Sequence, residues 1–147
     1  MQTYLGSVLD GAIGEMRQKS KLRLYESDPQ AWLHDVLGKR WYSKQEEIVD
    51  SFLNSTRTAV KSANGCGKSA VVADLITWLV ATREPKETLC IISAPTLSQI
   101  QKVIFAYLKA NKGLAEARGM PVPGRITETL DWKLDTEYGQ EFLAFGK

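Results

Sequence analysis

"AVKSANGCGKSAVVADLI", residues 59–76, joins a short strand-like lead-in to an apolar helical run through a glycine-rich turn. The lead-in, Arg57–Ala63, has the pattern of a strand. Lys68–Thr82 reads as a helix whose Val71, Val72, Leu75, Ile76, Leu79 and Val80 cover a wide apolar face, as in helices buried against a sheet. A tight turn between a strand and a helix start aims several backbone N–H groups at one point, which suits an anion. Gly65 and Gly67 give the backbone the freedom such a turn needs. Lys68 then reaches the β/γ-phosphates as a point charge, and the Ser69 hydroxyl is placed to ligate Mg²⁺. The usual pattern opens on glycine, whereas Ser62 stands here. That first position serves the exit from the strand, which a small serine also permits. Ser62, Ala63, Asn64, Gly65, Cys66, Gly67, Lys68 and Ser69 are therefore the candidate nucleotide loop, with ATP and Mg²⁺ as cofactors and Lys68 as the catalytic charge. A purely structural turn is the competing reading. Cys66 reads first as a small residue that fits the loop; a redox-sensitive thiol is the alternative, because a helix N-terminus lowers a thiol pKa.

The neighbouring segments extend this pattern. "TLCIISAP", residues 88–95, reads as a strand buried on both faces. "TLSQIQKVIFAYLKANKG", residues 96–113, reads as a helix capped by Thr96 and leaving at Gly113. Strand, helix, strand, helix predicts an α/β fold with a mainly parallel sheet. Beyond Gly119, "RITETLDWKL" and "QEFLAFG" read as strands around the turn "DTEYG", a β-hairpin. Upstream, "WYSKQEEIVDSFLNS", residues 41–55, predicts a helix with a Ser43/Glu46 capping box and an apolar stripe of Ile48, Val49, Phe52 and Leu53. "SDPQAWLHDVLG", residues 27–38, predicts another, capped by Asp28, opened by Pro29 and closed by Gly38. Its core face is Trp32, Leu33, Val36 and Leu37; His34, on the other side, reads as a surface residue. Thr3–Tyr25 suggests one or two loosely specified helices. Its basic residues Arg17, Lys19, Lys21 and Arg23 alternate, so on a helix they spread around the axis as a solvated surface rather than one stripe. The organisation expected is an N-terminal helical segment over 1–40 and a partial ATPase domain over 41–147.

Composition sets the outer limits. The 147 residues, 44% hydrophobic and 24% charged, suit one compact soluble domain. A net charge of +2 neither implies nor excludes nucleic acid, because a local stripe matters more than a total. Cys66 and Cys90 form no zinc spacing and no disulfide framework, which points to an intracellular, reducing setting. No apolar run approaches a membrane span, and the first residues lack a signal-peptide block.

Gln45 lies upstream of the loop in "WYSKQEEIV". Its amide can donate to adenine N7 and accept from N6, with Trp41 or Tyr42 as a stacking face. A surface glutamine in a first helical turn is the plain alternative. "WYSKQEEIVDSF", then "SANGCGKSAVVADLITWLVA", then "CIISAPTLSQIQKVIFAYL" together resemble the N-terminal ATPase region of the large terminase subunit of tailed bacteriophages, over roughly residues 40–147. The resemblance implies a RecA-like P-loop ATPase fold, related to superfamily 2 helicases, that drives double-stranded DNA into a procapsid. A nuclease domain of RNase H-like fold follows it in the family. Gly67, Lys68 and Ser69 match the end of the family's Walker A motif, and Gln45 its adenine-recognition glutamine. Ser93–Gln99 matches a segment that in related translocases lies near the DNA path; Thr96 and Gln99 are its polar residues, although Thr96 serves equally as a plain cap. Many terminases carry an arginine at the loop, where this chain has Lys61 before it and Asn64 within it. The implied partners are double-stranded DNA, the portal protein, the small terminase subunit and further copies of the chain, in the host cytoplasm and without a membrane.

Hydrolysis in this class also needs an apolar strand ending in an acidic pair, one carboxylate for Mg²⁺ through its water and one for the attacking water. The apolar strands here end in Ser93-Ala94-Pro95 and Phe145-Gly146-Lys147. Asp74 falls inside the loop helix, and Asp131 and Asp135 fall in the hairpin. The expectation is an N-terminal piece of a longer protein that binds nucleotide weakly and turns over little by itself. A helicase-like translocase fragment, and a non-catalytic module docking through the residues before Trp41, are the other readings. A small-molecule kinase is disfavoured by Gln45 and by the few arginines after Asn64.

Overall fold

The structure is a computed structural model. It describes every residue except Met1, Asn64, Cys66, Glu137 and Tyr138, and leaves the side chains of Gln2, Thr3, Gln18, Lys19, Ser20 and Lys21 undescribed. The fold is mixed α/β. α1, Gln2–Leu24, is a single helix with Tyr4, Leu5, Val8, Leu9, Ile13 and Met16 all exposed. α2, Pro29–Trp32, starts as its sequence predicts: the Asp28 Oδ1 accepts from the Ala31 N–H at 2.9 Å. It runs on as a wide π turn over Leu33–Leu37 and stops at Gly38, whose φ of 67° only glycine adopts at little cost. His34 stays at the surface, 2.9 Å from Asp35, and holds that carboxyl below its ordinary pKa.

α3 spans Ser43–Asn54 and α4 spans Lys68–Thr82, the latter with the predicted bounds. The α3 cap differs from the expected one. Tyr42, not Ser43, is the cap residue, and Gln45, not Glu46, reaches back, its Oε1 accepting from the Tyr42 N–H at 3.3 Å. Starting the helix one residue earlier moves the reciprocal position from Glu46 to Gln45. In its apolar stripe Val49 is buried and Ile48 packs against the core, whereas Phe52 and Leu53 remain exposed.

β1 is Cys90–Ile92. α5, Leu97–Gln99, opens with the Thr96 Oγ1 accepting from the Gln99 N–H at 3.3 Å. It continues through a π turn over Ile100–Phe105 into α6, Ala106–Ala117. Gly113 is passed within the helix, and the left-handed exit falls at Gly119, φ 73°. β2, Arg125–Ile126, β3, Asp131–Thr136, and β4, Gly139–Gly146, complete the fold, with β3 and β4 antiparallel as the hairpin pattern predicts.

The sheet has the order β1-β4-β3-β2. Only β1 and β4 run parallel; β4–β3 and β3–β2 are antiparallel. A mainly parallel sheet is thus corrected to a mostly antiparallel one, because the hairpin supplies most of the ladder. Two further strand readings change. Among the described residues 57–63 pair with no strand and most are exposed. β1 is short and lies at the sheet's end, with Ile91 64% exposed, rather than covered on both faces.

The core is built around α4. Val71, Leu75, Ile76 and Trp78 pack with Trp32 of α2, Leu33 and Val36 of the π turn that follows it, Leu108 and Ala115 of α6, and Ile100 and Phe105 of the π turn before α6. Each large apolar side chain buried this way contributes roughly 1.5–3 kcal/mol. α4 is thereby fixed in space, and with it the position of its first residues, which end the glycine-rich loop.

Candidate functional site

Gly67 is the cap residue of α4 and has φ 76°; Gly65, two residues before, has φ 86°. Both glycines therefore use the backbone freedom read for them in the sequence, in the left-handed region. It delivers the chain directly into Lys68 and Ser69, the first two helical residues. The first-turn N–H groups of α4 have no carbonyl within the helix to bond, so the helix presents donors at this end.

The Lys68 ammonium folds back over the loop. It donates to the Ser62 carbonyl and the Ser62 Oγ, both at 2.9 Å, and to the Ala63 carbonyl at 3.1 Å. Ser62 thus does more than replace a glycine at the turn: both its oxygens hold the lysine. Lys68 is held by neutral oxygens, which an anion can replace as partner without breaking an ion pair. The ammonium, the helix-start N–H groups and the Ser69 hydroxyl form a donor set that fits a polyphosphate with Mg²⁺, Ser69 being the residue that would hold the ion.

Gln45 comes to the same place from α3. A Cβ built on Gly67 would lie 2.6 Å from the Gln45 Nε2, so the amide rests directly against the loop's last glycine. Its other end is held by the Tyr42 N–H. A carbonyl oxygen has two lone pairs, so this bond leaves Oε1 able to accept once more. The two proposed stacking residues separate clearly. Trp41 is buried, 5% exposed, with its indole N–H donated to the Asp74 Oδ2 at 3.1 Å. Tyr42 is 48% exposed and lines a cavity of about 670 Å³ with Ile48, Thr58, Val60, Lys61 and Ser62. Of the two, Tyr42 is therefore the one at the surface, and Lys61 lines the same cavity.

Asn64 and Cys66, both named from the sequence, lie outside the described residues. Cys90 is half-buried in β1, and burial pushes its thiol up to about 11. Thr96 is engaged as the α5 cap, while Gln99 is exposed. The three aspartates separate as the sequence suggests: Asp74 is buried in α4, and Asp131 and Asp135 lie in β3, where Arg125 pairs with Asp135 at 3.1 Å.

Sequence reasoning missed the role of Asp74. It is 4% exposed and accepts from Lys39 Nζ at 3.0 Å and Asn111 Nδ2 at 3.0 Å in addition to Trp41. Its signal was a lone acid on an otherwise apolar helix face, which calls for partners from elsewhere in the fold. Among the described residues, no helix is long and apolar enough to cross a membrane. Compared with known proteins, the chain matches no family model, no curated protein and no solved structure.

Proposed function

We propose that this chain is the ATP-binding portion of a viral DNA-packaging motor, the large terminase subunit of tailed bacteriophages. The observation that carries the nucleotide reading is the convergence of two elements. α4 begins with Lys68 and Ser69 on a loop of left-handed glycines, and α3 sets the Gln45 amide against Gly67 in that loop. A structural turn has no need of a second helix bringing a base-reading amide to it. The order of the glutamine, the loop and the Ser93–Gln99 segment supports the packaging motor over other ATPases. Two features fit the fuller RecA-like sheet of that family: 57–63 leads into the loop without joining a strand among the described residues, and β1 lies at one end of the sheet with Ile91 exposed.

In this reading Lys68 exchanges the Ser62 and Ala63 oxygens for the β/γ-phosphates. Ser69 would hold Mg²⁺, which would supply neutralising charge to the phosphates. Tyr42 and Gln45 take the adenine, one by its face and one by its edge. A neighbouring copy supplies an arginine to the transferring phosphate, and the resulting movement is passed to double-stranded DNA at the procapsid portal, with the small subunit presenting the DNA, in the host cytoplasm. A phage carrying Lys68→Ala in this chain is expected to accumulate empty heads. Nuclease-protected DNA per head measures this, and heads filled at the wild-type level contradict the motor.

A further inference from the structure

Trp41 and Asp74 link the buried interior to the loop through a continuous set of contacts. Asp74 lies less than about two turns beyond Lys68 on the same helix. Its Oδ2 accepts from the Trp41 indole, and its Oδ1 accepts from Lys39 and from Asn111 of α6. Lys39 also donates to the Asn111 Oδ1 at 2.6 Å. Lys39 and Trp41 of the linker between α2 and α3 are thus tied to the loop helix and not only to their own neighbours. The next residue, Tyr42, gives its backbone N–H to the Gln45 Oε1, and the Gln45 Nε2 rests on Gly67. From Asp74 through Trp41, Tyr42 and Gln45 to Gly67, each step is a hydrogen bond, a peptide bond, one turn of α3 or a direct contact.

We infer that Asp74 and Trp41 are positioning residues for base selectivity: their buried hydrogen bond locks the start of α3 to α4, so that the Gln45 amide meets the base at a fixed place relative to the phosphates. The inference rests on the nucleotide reading above. The physical need is clear. An amide discriminates bases by which atoms donate and which accept, and that pattern works only when the amide is held in register. Gln45 sits in the first turn of α3, where the Tyr42 N–H anchors its Oε1. The rigid reference is the core around α4, and Asp74 is the polar group by which the linker takes hold of it. Hydrophobic packing alone leaves α3 free to shift along α4; a buried carboxylate with three directed donors does not.

The test measures binding of fluorescent ATP and GTP analogues, and of inorganic tripolyphosphate by competition, to the wild type, Trp41→Phe, Asp74→Asn and Trp132→Phe. Trp41→Phe keeps the ring and removes the indole N–H. Trp132→Phe is the control: its buried indole donates to the Pro123 carbonyl at 2.9 Å, on elements that contribute no residue to the loop. The expected result is a wild type that prefers ATP, and a Trp41→Phe variant whose ATP-over-GTP ratio falls about five-fold, the effect of roughly one lost hydrogen bond. Tripolyphosphate affinity stays unchanged, Asp74→Asn moves the same way, and Trp132→Phe lowers the melting temperature but keeps the ratio. Circular dichroism identifies any variant that fails to fold, and the other one then carries the measurement. An unchanged ratio in Trp41→Phe, or a wild type that binds ATP and GTP equally, overturns the inference and leaves the phosphate loop standing. A wild type that binds neither nucleotide nor tripolyphosphate overturns the nucleotide reading itself.

Discussion

Gly67 is required twice over. Its φ of 76° is strained for any residue with a Cβ, and the Cβ itself would enter the space of the Gln45 Nε2. Gly65 shares the strain, φ 86°, but has open space where its Cβ would be. The two glycines therefore separate backbone cost from crowding. Gly65→Ala is expected to lower stability by about 1 kcal/mol. Gly67→Ala is expected to lose more, and part of its excess returns when Gln45→Ala is added, since the amide is what the new methyl meets. Urea unfolding of the four variants in a double-mutant cycle gives the coupling; strictly additive losses contradict the contact. The glycines were legible in sequence because a Gly-Lys-Ser turn ahead of an apolar run has few other uses. The Gln45–Gly67 contact was legible only as a role for Gln45, since the touching of two elements far apart in the chain is a property of packing.

At the scale of elements, helices were read better than strands. α4 has the bounds its pattern predicts, because its apolar face, its glycine entry and its burial all agree. The segment 57–63 has the pattern of a strand but finds no ladder, because a strand depends on its neighbour far more than a helix does. β1 shows the same dependence. Its β-branched run reads as doubly covered, yet among the described residues it pairs with β4 alone, at the end of the sheet. Ile91 points outward, whereas Cys90 and Ile92 turn toward the interior. This places the Cys90 thiol in an apolar setting, and burial raises its pKa from 9.0 to about 11. Only the thiolate reacts with alkylating agents, so raising the pKa suppresses the reaction at every pH below it. In a Cys66→Ser background, Cys90 is expected to react with iodoacetamide at pH 8 about two orders of magnitude more slowly than an ordinary thiol. Its rate keeps rising as pH increases toward 11. A rate that levels off near pH 9 contradicts the buried placement.

For the molecule as a whole, one core joins residues on both sides of Trp41, with Trp32 and Leu33 packed beside Val71 and Trp78. The α/β class was legible from alternating texture; the sheet's mostly antiparallel character was not, because the β3–β4 hairpin and the pairing of β2 with β3 make two of its three strand pairs. The candidate site was legible in its residue types, Gln45 and Ser62 through Ser69. Its supports, Asp74 of α4, Asn111 of α6, and Lys39 and Trp41 of the linker before α3, come from three separate segments, and no single stretch of sequence announces them. The central proposal is that these supports hold an ATP site at the start of α4. Its most direct test is equilibrium binding of MgATP to the wild type and to Lys68→Ala by isothermal titration calorimetry. The predicted result is measurable binding by the wild type and a loss of about ten-fold or more in Lys68→Ala, with the melting temperature preserved because, among the described residues, the ammonium bonds oxygens of its own loop. Equal MgATP affinity in the two proteins, or none in the wild type, would contradict it.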